Sequence, residues 1–371
     1  MQTEVGSQFE VAPHPEVPFE ARHAVMERLF AARQLETKRL GGTARRASLI
    51  VQGYRRDLGR LMGAKKYEQF RAYIERKKEE QRKTLLPPHG PEMSDKEKER
   101  LHTQRNKSGL AFLDRLDVDP DRVRKLNQAT RKRLVRLMPP VPKRKGKPVI
   151  LVHTPDVPRE IRRGRTNPWD VKAPPFPGWA WHYHGCLIGF SFHPWLYLNS
   201  GAGLVGNSNY LTDGDASDVD LAWMGYNSYC GFWYKMPKTG LLEVWIEGQS
   251  AFNLHSCHLK DEWGWSDSEV HQHNLLVMRV ASPVSDELRE ALMSWWWERG
   301  HTSGYWANHY LVNGGTYWAH LFSDASFAKG TWVYVLVGTR TWNTCFANDV
   351  EVYSKVKFKW FIKRVFCRST G

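Results

Sequence analysis

The sequence predicts an α+β multidomain protein, a basic α-helical N-terminal region followed by an all-β sandwich of jelly-roll-like type. Three observations predict it. Residues 1–150 hold 35 Lys+Arg against 19 Asp+Glu, whereas residues 151–371 hold 19 against 20. All 17 Trp and 11 of the 15 His lie beyond residue 150. The spacing of apolar residues also changes, from three-to-four in the front part to two in the rear part. The expected organisation is a basic helical region over 1–138, a Pro-rich basic linker over 139–178 and an aromatic-rich β-sandwich over 179–371. The front and rear pieces are expected to be separate bodies on a stiff tether.

The front elements follow in order. Val25, Met26, Leu29 and Phe30, continued by Leu35 and Leu40, give a first helix that Gly41-Gly42 is expected to stop. Leu49, Ile50, Tyr54, Leu58, Leu61 and Met62 give a second. Tyr67, Phe70, Tyr73 and Ile74 give a third, which runs into a charged tail and ends before Pro87-Pro88. Ser94-Asp95-Lys96-Glu97 has the spacing of a capping box. Asp119-Pro120 reads as an N-cap followed by proline at the first helical position, opening a narrow-faced helix over about 120–138. Such a helix needs a partner surface for most of its stability.

Residues 139–177 contain 10 of the 20 prolines, a density that favours extended, semi-rigid backbone. Val149 to Val152 is a candidate short strand inside it. Behind the linker, residues 350–366 alternate: Val350, Val352, Val356, Phe358, Trp360 and Ile362 among the even positions, Glu351, Lys355, Lys357, Lys359 and Lys363 among the odd ones. That is a half-buried strand with one wet face. Trp332 to Val337 is apolar on both faces and reads as a central strand, Leu241 to Ile246 follows the turn-forming Pro237-Lys238-Thr239-Gly240, and Leu275 to Val280 is another buried run that Ser282-Pro283 ends. Ser285 to Leu292 reads as a short helix between strands.

Chemistry-bearing residues cluster in the rear part. His182, His184 and Cys186 share one strand face, and His255/Cys257 and His271/His273 repeat the spacing. Imidazoles aimed one way suit a divalent metal, so His182, His184, His255, His271 and His273 are the candidate ligands and a divalent metal the only cofactor considered. An HxH strand is similar to the metal strand of cupin-type jelly rolls, but no carboxylate follows either pair, so that family is not carried over. Asp213, Asp215, Asp218 and Asp220 offer oxygens for calcium, yet position 12 counted from Asp213 is Met224, which breaks the EF-hand register. Nucleophile elbows, dinucleotide fingerprints and phosphate loops are missing from the sequence. The five Cys, widely spaced, are expected to be reduced and buried.

These readings favour a non-enzymatic structural or binding protein. Trp263, Trp265, Trp295, Trp296 and Trp297 are the candidate interface aromatics, for self-assembly, a protein partner or a ligand. Lys143, Arg144, Lys145 and Lys147, with Arg131, Lys132 and Arg133, are the candidate contacts for nucleic acid or another polyanion. The alternatives are a metal-dependent enzyme built on the histidines and a nonspecific nucleic-acid binder acting through 1–150. A basic arm joined to a jelly roll is also the arrangement of many viral coat proteins, an analogy of fold only. No export signal or membrane span is expected, which places the protein in the cytoplasm or in an assembled particle.

Overall fold

In a computed structural model, residues 2–84, 95–137, 156–162, 168–213, 219–259, 268–300, 305–310, 315–348 and 352–371 are described. The chain opens with strand β1 (Gln2–Glu10) and four helices: α1 (Phe19–Met62), α2 (Ala64–Thr84), α3 (Asp95–Arg115) and α4 (Pro120–Val135). A single turn, α5 (Arg159–Arg162), precedes β2 (Asp170–Lys172), β3 (Gly178–Ile188), β4 (Phe190–Asn199) and β5 (Leu204–Asp213). Then come β6 (Val219–Lys235), β7 (Gly240–Leu259), β8 (Ser268–Ala281) and β9 (Asp286–Gly300). The last four strands are β10 (Tyr305–Tyr310), β11 (Thr316–Phe327), β12 (Trp332–Asn348) and β13 (Tyr353–Thr370).

Two antiparallel sheets result. One has the order β1-β3-β6-β12-β8-β9; the other runs β10-β7-β13-β5-β4, with β11 beside β7 and β2 beside β13. Their facing sides share an apolar core that includes Phe232, Leu242, Val244, Val335, Phe358, Trp360 and Ile362. Helices cover the other side of the six-stranded sheet. Strand β6 is therefore buried from Val219 to Tyr234, which explains why its neighbours read as apolar on both faces. No helix among the described residues is long and apolar enough to cross a membrane.

Helix α1 corrects the expected stop at Gly41-Gly42. Leu40, Ala44, Ala47, Val51, Tyr54, Leu58 and Met62 form one buried stripe straight through the pair. The two glycines cost about 1 kcal/mol each relative to alanine, less than burying a single Leu provides. The helix ends at Gly63 instead, where φ is +76° and the backbone N–H returns to the Gly59 carbonyl. Asp119 caps α4 as its sequence suggested, its carboxylate accepting from the Asp121 N–H at 2.9 Å. Ser94 and the stretch 149–152 lie outside the described residues.

The expectation of two bodies on a tether is corrected. Residues 2–10 pair with β3 from Gln2↔Leu187 to Glu10↔Trp179, so the front of the chain supplies an edge strand to the sheet. Val25 and Leu29 of α1 pack with Tyr229, Val277 and Leu336, while Leu40 onward packs with Trp223, Trp342 and Phe346. The front helices and the six-stranded sheet thus bury each other's apolar faces. Parts of the expected linker are also docked: Ile161 of α5 and Trp169 pack against Trp245 and Phe366 of the other sheet. Residues 138–155 lie outside the described residues.

The segment expected to be a helix, Ser285 to Leu292, is instead a strand from Asp286 onward. Strand β9 pairs with β8 along its whole length, with a bulge opposite Asn274/Leu275. Arg279 of β8 grips Asp286 of β9 through two hydrogen bonds of 2.7 and 2.5 Å. Cross-strand pairing outweighs the helical preference of Glu287, Leu288, Arg289 and Ala291.

Candidate functional site

Alternation on β3 sends His182 and His184 to the side of the sheet that α1 covers. Across the ladder they face Asn227 and Gly225 of β6. Gly225 is needed here, because a Cβ would stand 2.5 Å from the Trp342 ring, which fills that space. Above them lies Glu36 of α1. It falls on the helix's buried side between Leu29 and Leu40, where an apolar residue would be expected. Its two carboxylate oxygens reach one imidazole each, Oε1 to His184 Nε2 at 3.1 Å and Oε2 to His182 Nε2 at 3.5 Å. The three donor groups lie within 4.8 Å of one another.

Burial alone would raise the Glu36 carboxyl, but the His182 hydrogen bond and the charges of His184, His182 and Arg340 outweigh it and hold it near 2. Burial holds His184 down to about 3 and lowers His182 too, against the pull of Glu36. The carboxylate is ionised and both rings are neutral at pH 7. Arg340 Nη2 stands 3.5 Å from His184 Nε2, while the same guanidinium binds Glu290 and stacks on Trp342.

The five candidate histidines do not converge. His271 lies farther across the same sheet, bonded to Glu269 at 2.6 Å beside Arg131 and Trp297. His273 is buried opposite Trp342, and burial lowers it to about 4. His255 is on the other sheet, facing the core, held by Gln272 at 3.1 Å and Ser294 at 2.8 Å. The candidate interface aromatics divide as well. Trp295 and Trp296 are buried, Trp297 is half-buried and donates to Glu269, and Trp263 and Trp265 lie outside the described residues. All five cysteines are buried with free thiols.

The candidate polyanion contacts fare unevenly. Lys132 and Arg133 of α4 are exposed, but Arg131 is committed to Glu269 and to the Phe346 ring. Lys143, Arg144, Lys145 and Lys147 lie outside the described residues. A different basic surface emerges on the second sheet, on the face turned away from the core. There β13 aligns Lys355, Lys357, Lys359 and Lys363, while Val356, Phe358, Trp360 and Ile362 point inward at 0–1% exposure. Strands β4, β5 and β7, and Phe361 of β13 itself, place aromatic rings between the lysines. Lys357 Nζ lies 4.2 Å from the Phe252 ring and 5.0 Å from Tyr197, Lys359 5.4 Å from Tyr197, Lys355 5.8 Å from Tyr210 and Lys363 5.7 Å from Phe361. Trp195 on β4 is 65% exposed.

No carboxylate pairs with these lysines among the described residues; Glu247 and Glu243 of the same sheet are held by Arg364 and Arg368. Burial and the neighbouring Lys357 lower the Lys355 ammonium. The alternation of these lysines was visible in the sequence, whereas Tyr197, Tyr210 and Phe252 come from strands 100 or more residues away in the chain. Glu36 had one sequence signal, a carboxylate on an apolar stripe. A broad concavity of about 850 Å³ near Trp169, Lys235 and Arg368 touches neither group.

Fold and site together define a mostly-β protein of two antiparallel sheets with a helical layer on one of them. No family model and no curated protein matches the chain. Among solved structures it is similar to the carbohydrate-binding module TmCBM61 in complex with beta-1,4-galactotriose, at 7% identity and a TM-score of 0.12, over 47% of this chain and 88% of that one. It is also similar to the enzymatically active domain of bacteriophage CBA120 tailspike protein 4, at 6% identity and a TM-score of 0.13, over 47% of this chain and 19% of that one. Both scores are too low to carry a shared fold.

Proposed function

We propose that this is a non-enzymatic binding protein that holds single-stranded nucleic acid on the open face of its seven-stranded sheet. The observation that carries the reading is the row of four β13 lysines that lack carboxylate partners among the described residues and lie among aromatic rings. Alternate residues on a strand recur about every 7 Å, so Lys355, Lys357 and Lys359 form a cationic track that Lys363 continues beyond Phe361. Phosphates along such a track release counterions, and unstacked bases find Trp195, Tyr197 and Phe252 beside it. The net charge of +15, with exposed Lys132 and Arg133 on α4, adds a field that attracts polyanions from a distance. The jelly-roll-like description belongs to this reading too, supported by the way the chain alternates between the sheets from β5 to β8 and again from β12 to β13.

Fluorescence anisotropy with a labelled oligothymidine tests the proposal. Lys357→Glu with Lys359→Glu is expected to weaken binding strongly, and Trp195→Ala more modestly, by about 1–3 kcal/mol if a base stacks there. Unchanged affinity in the double charge reversal contradicts the proposal.

A further inference from the structure

We infer that Glu36, His182 and His184 form a divalent transition-metal site, of the kind zinc occupies, that clips α1 to β3. The inference is independent of the lysine face, which lies on the other sheet. Glu36 is a half-buried carboxylate on the apolar stripe of α1, a placement that favours pairing or metal coordination. Here it is aimed at two imidazole nitrogens from one strand, each oxygen taking a different ring, at 3.1 and 3.5 Å. Zinc holds nitrogen and oxygen ligands at about 2.0–2.1 Å, which sets tetrahedral donors roughly 3.4 Å apart. The two carboxylate–imidazole spacings bracket that value, in a triad whose three donors lie within 4.8 Å of one another. Two imidazoles with one carboxylate suit a borderline cation such as zinc, and calcium or magnesium would demand oxygen throughout.

A second observation concerns the space beside the triad. Glu36 and His182 border a small cavity of about 30 Å³, shared with Ser7, Arg33, Tyr229 and Arg279. On its lining, the Tyr229 hydroxyl, 1% exposed, and the Ser7 hydroxyl have no hydrogen-bond partner among the described residues. The space admits about one water molecule, which is what the fourth position of a three-ligand zinc site holds. Two side chains compete for the ring nitrogens, Asn227, whose Nδ2 lies 2.9 Å from His182 Nε2, and Arg340, 3.5 Å from His184 Nε2. The charge of Arg340 is already matched by Glu290, and its plane rests on Trp342, so it has a place to stay once the ring nitrogen is taken.

The test uses the full chain, stripped with a chelator and titrated with zinc chloride by calorimetry and by thermal melting. One equivalent of zinc binds and raises the melting temperature, whereas magnesium does neither. Cobalt(II) gives the visible absorption of a tetrahedral nitrogen–oxygen site. Glu36→Gln and His184→Asn lose roughly a hundredfold or more in zinc affinity, beyond the loss of a merely supporting partner, and His271→Asn keeps it. Absence of stoichiometric zinc in the wild-type chain overturns the inference on its own, whatever the variants do. So does zinc binding that survives Glu36→Gln in a folded chain, or equal binding of magnesium.

Discussion

Glu269 ties three elements together and makes the acid stability of the protein predictable. Its carboxylate binds Arg131 of α4, accepts from Trp297 Nε1 of β9 at 2.8 Å and meets His271 Nε2 at 2.6 Å, with its side chain 14% exposed. Burial alone would raise it, but the His271 hydrogen bond and the charges of Arg131 and His271 carry it from the ordinary 4.5 to about 2. A carboxylate with a lowered folded value stabilises the fold above its unfolded value. That stability is lost as pH falls from about 5 towards 2. With values of 4.5 and 2, the loss between pH 7 and pH 3 is about 2 kcal/mol, since each tenfold change in proton affinity is worth about 1.36 kcal/mol. Urea unfolding of wild type and Glu269→Gln at both pH values checks this. The wild type should lose about 2 kcal/mol more than the variant on acidification. Equal losses in the two proteins would refute the assignment of Glu269 as a buried, ionised tie.

Other outcomes follow from the same geometry. Trp360→Ala, which empties a site 0% exposed between the sheets, should cost about 3–5 kcal/mol in urea unfolding with little change in slope. Deleting residues 2–10 strips β1 from β3 and bares a paired edge, so the truncated chain should melt earlier and aggregate, as light scattering would show. Gly63→Ala forces a side chain onto a φ of +76° and should cost about 1 kcal/mol or more, measured by thermal melting.

Much of the fold was legible because it is written in local periodicity. The alternation over 350–366 announced β13, with Val356, Phe358, Trp360 and Ile362 in the core and the lysines outside. The cap at Asp119-Pro120 marked the start of α4 because its chemistry is complete within three residues. What stayed hidden depends on contacts distant in sequence. Gly41-Gly42 read as a stop, since nothing local shows that Leu40 and Ala44 would meet Trp223 and Trp342 on a sheet formed much later in the chain. The segment from Asp286 to Leu292 has helical composition, and only the ladder with β8 decides against it. The histidine pair on β3 was visible as a pair, but its carboxylate comes from 146 residues upstream, so a search for a nearby acid was bound to miss Glu36. The charge split itself was real; the inference that it separated two bodies failed because α1 is amphipathic, with cations on the solvent side and an apolar stripe on the sheet.

Lysine footprinting offers the most direct test of where the ligand sits. The full chain is acetylated with and without a saturating oligothymidine, and each lysine is read by mass spectrometry. Protection of Lys355, Lys357, Lys359 and Lys363, with Lys132 on α4 still reactive, is the predicted pattern. Protection confined to the helices, with the β13 lysines modified as fast as in the free protein, would contradict the account.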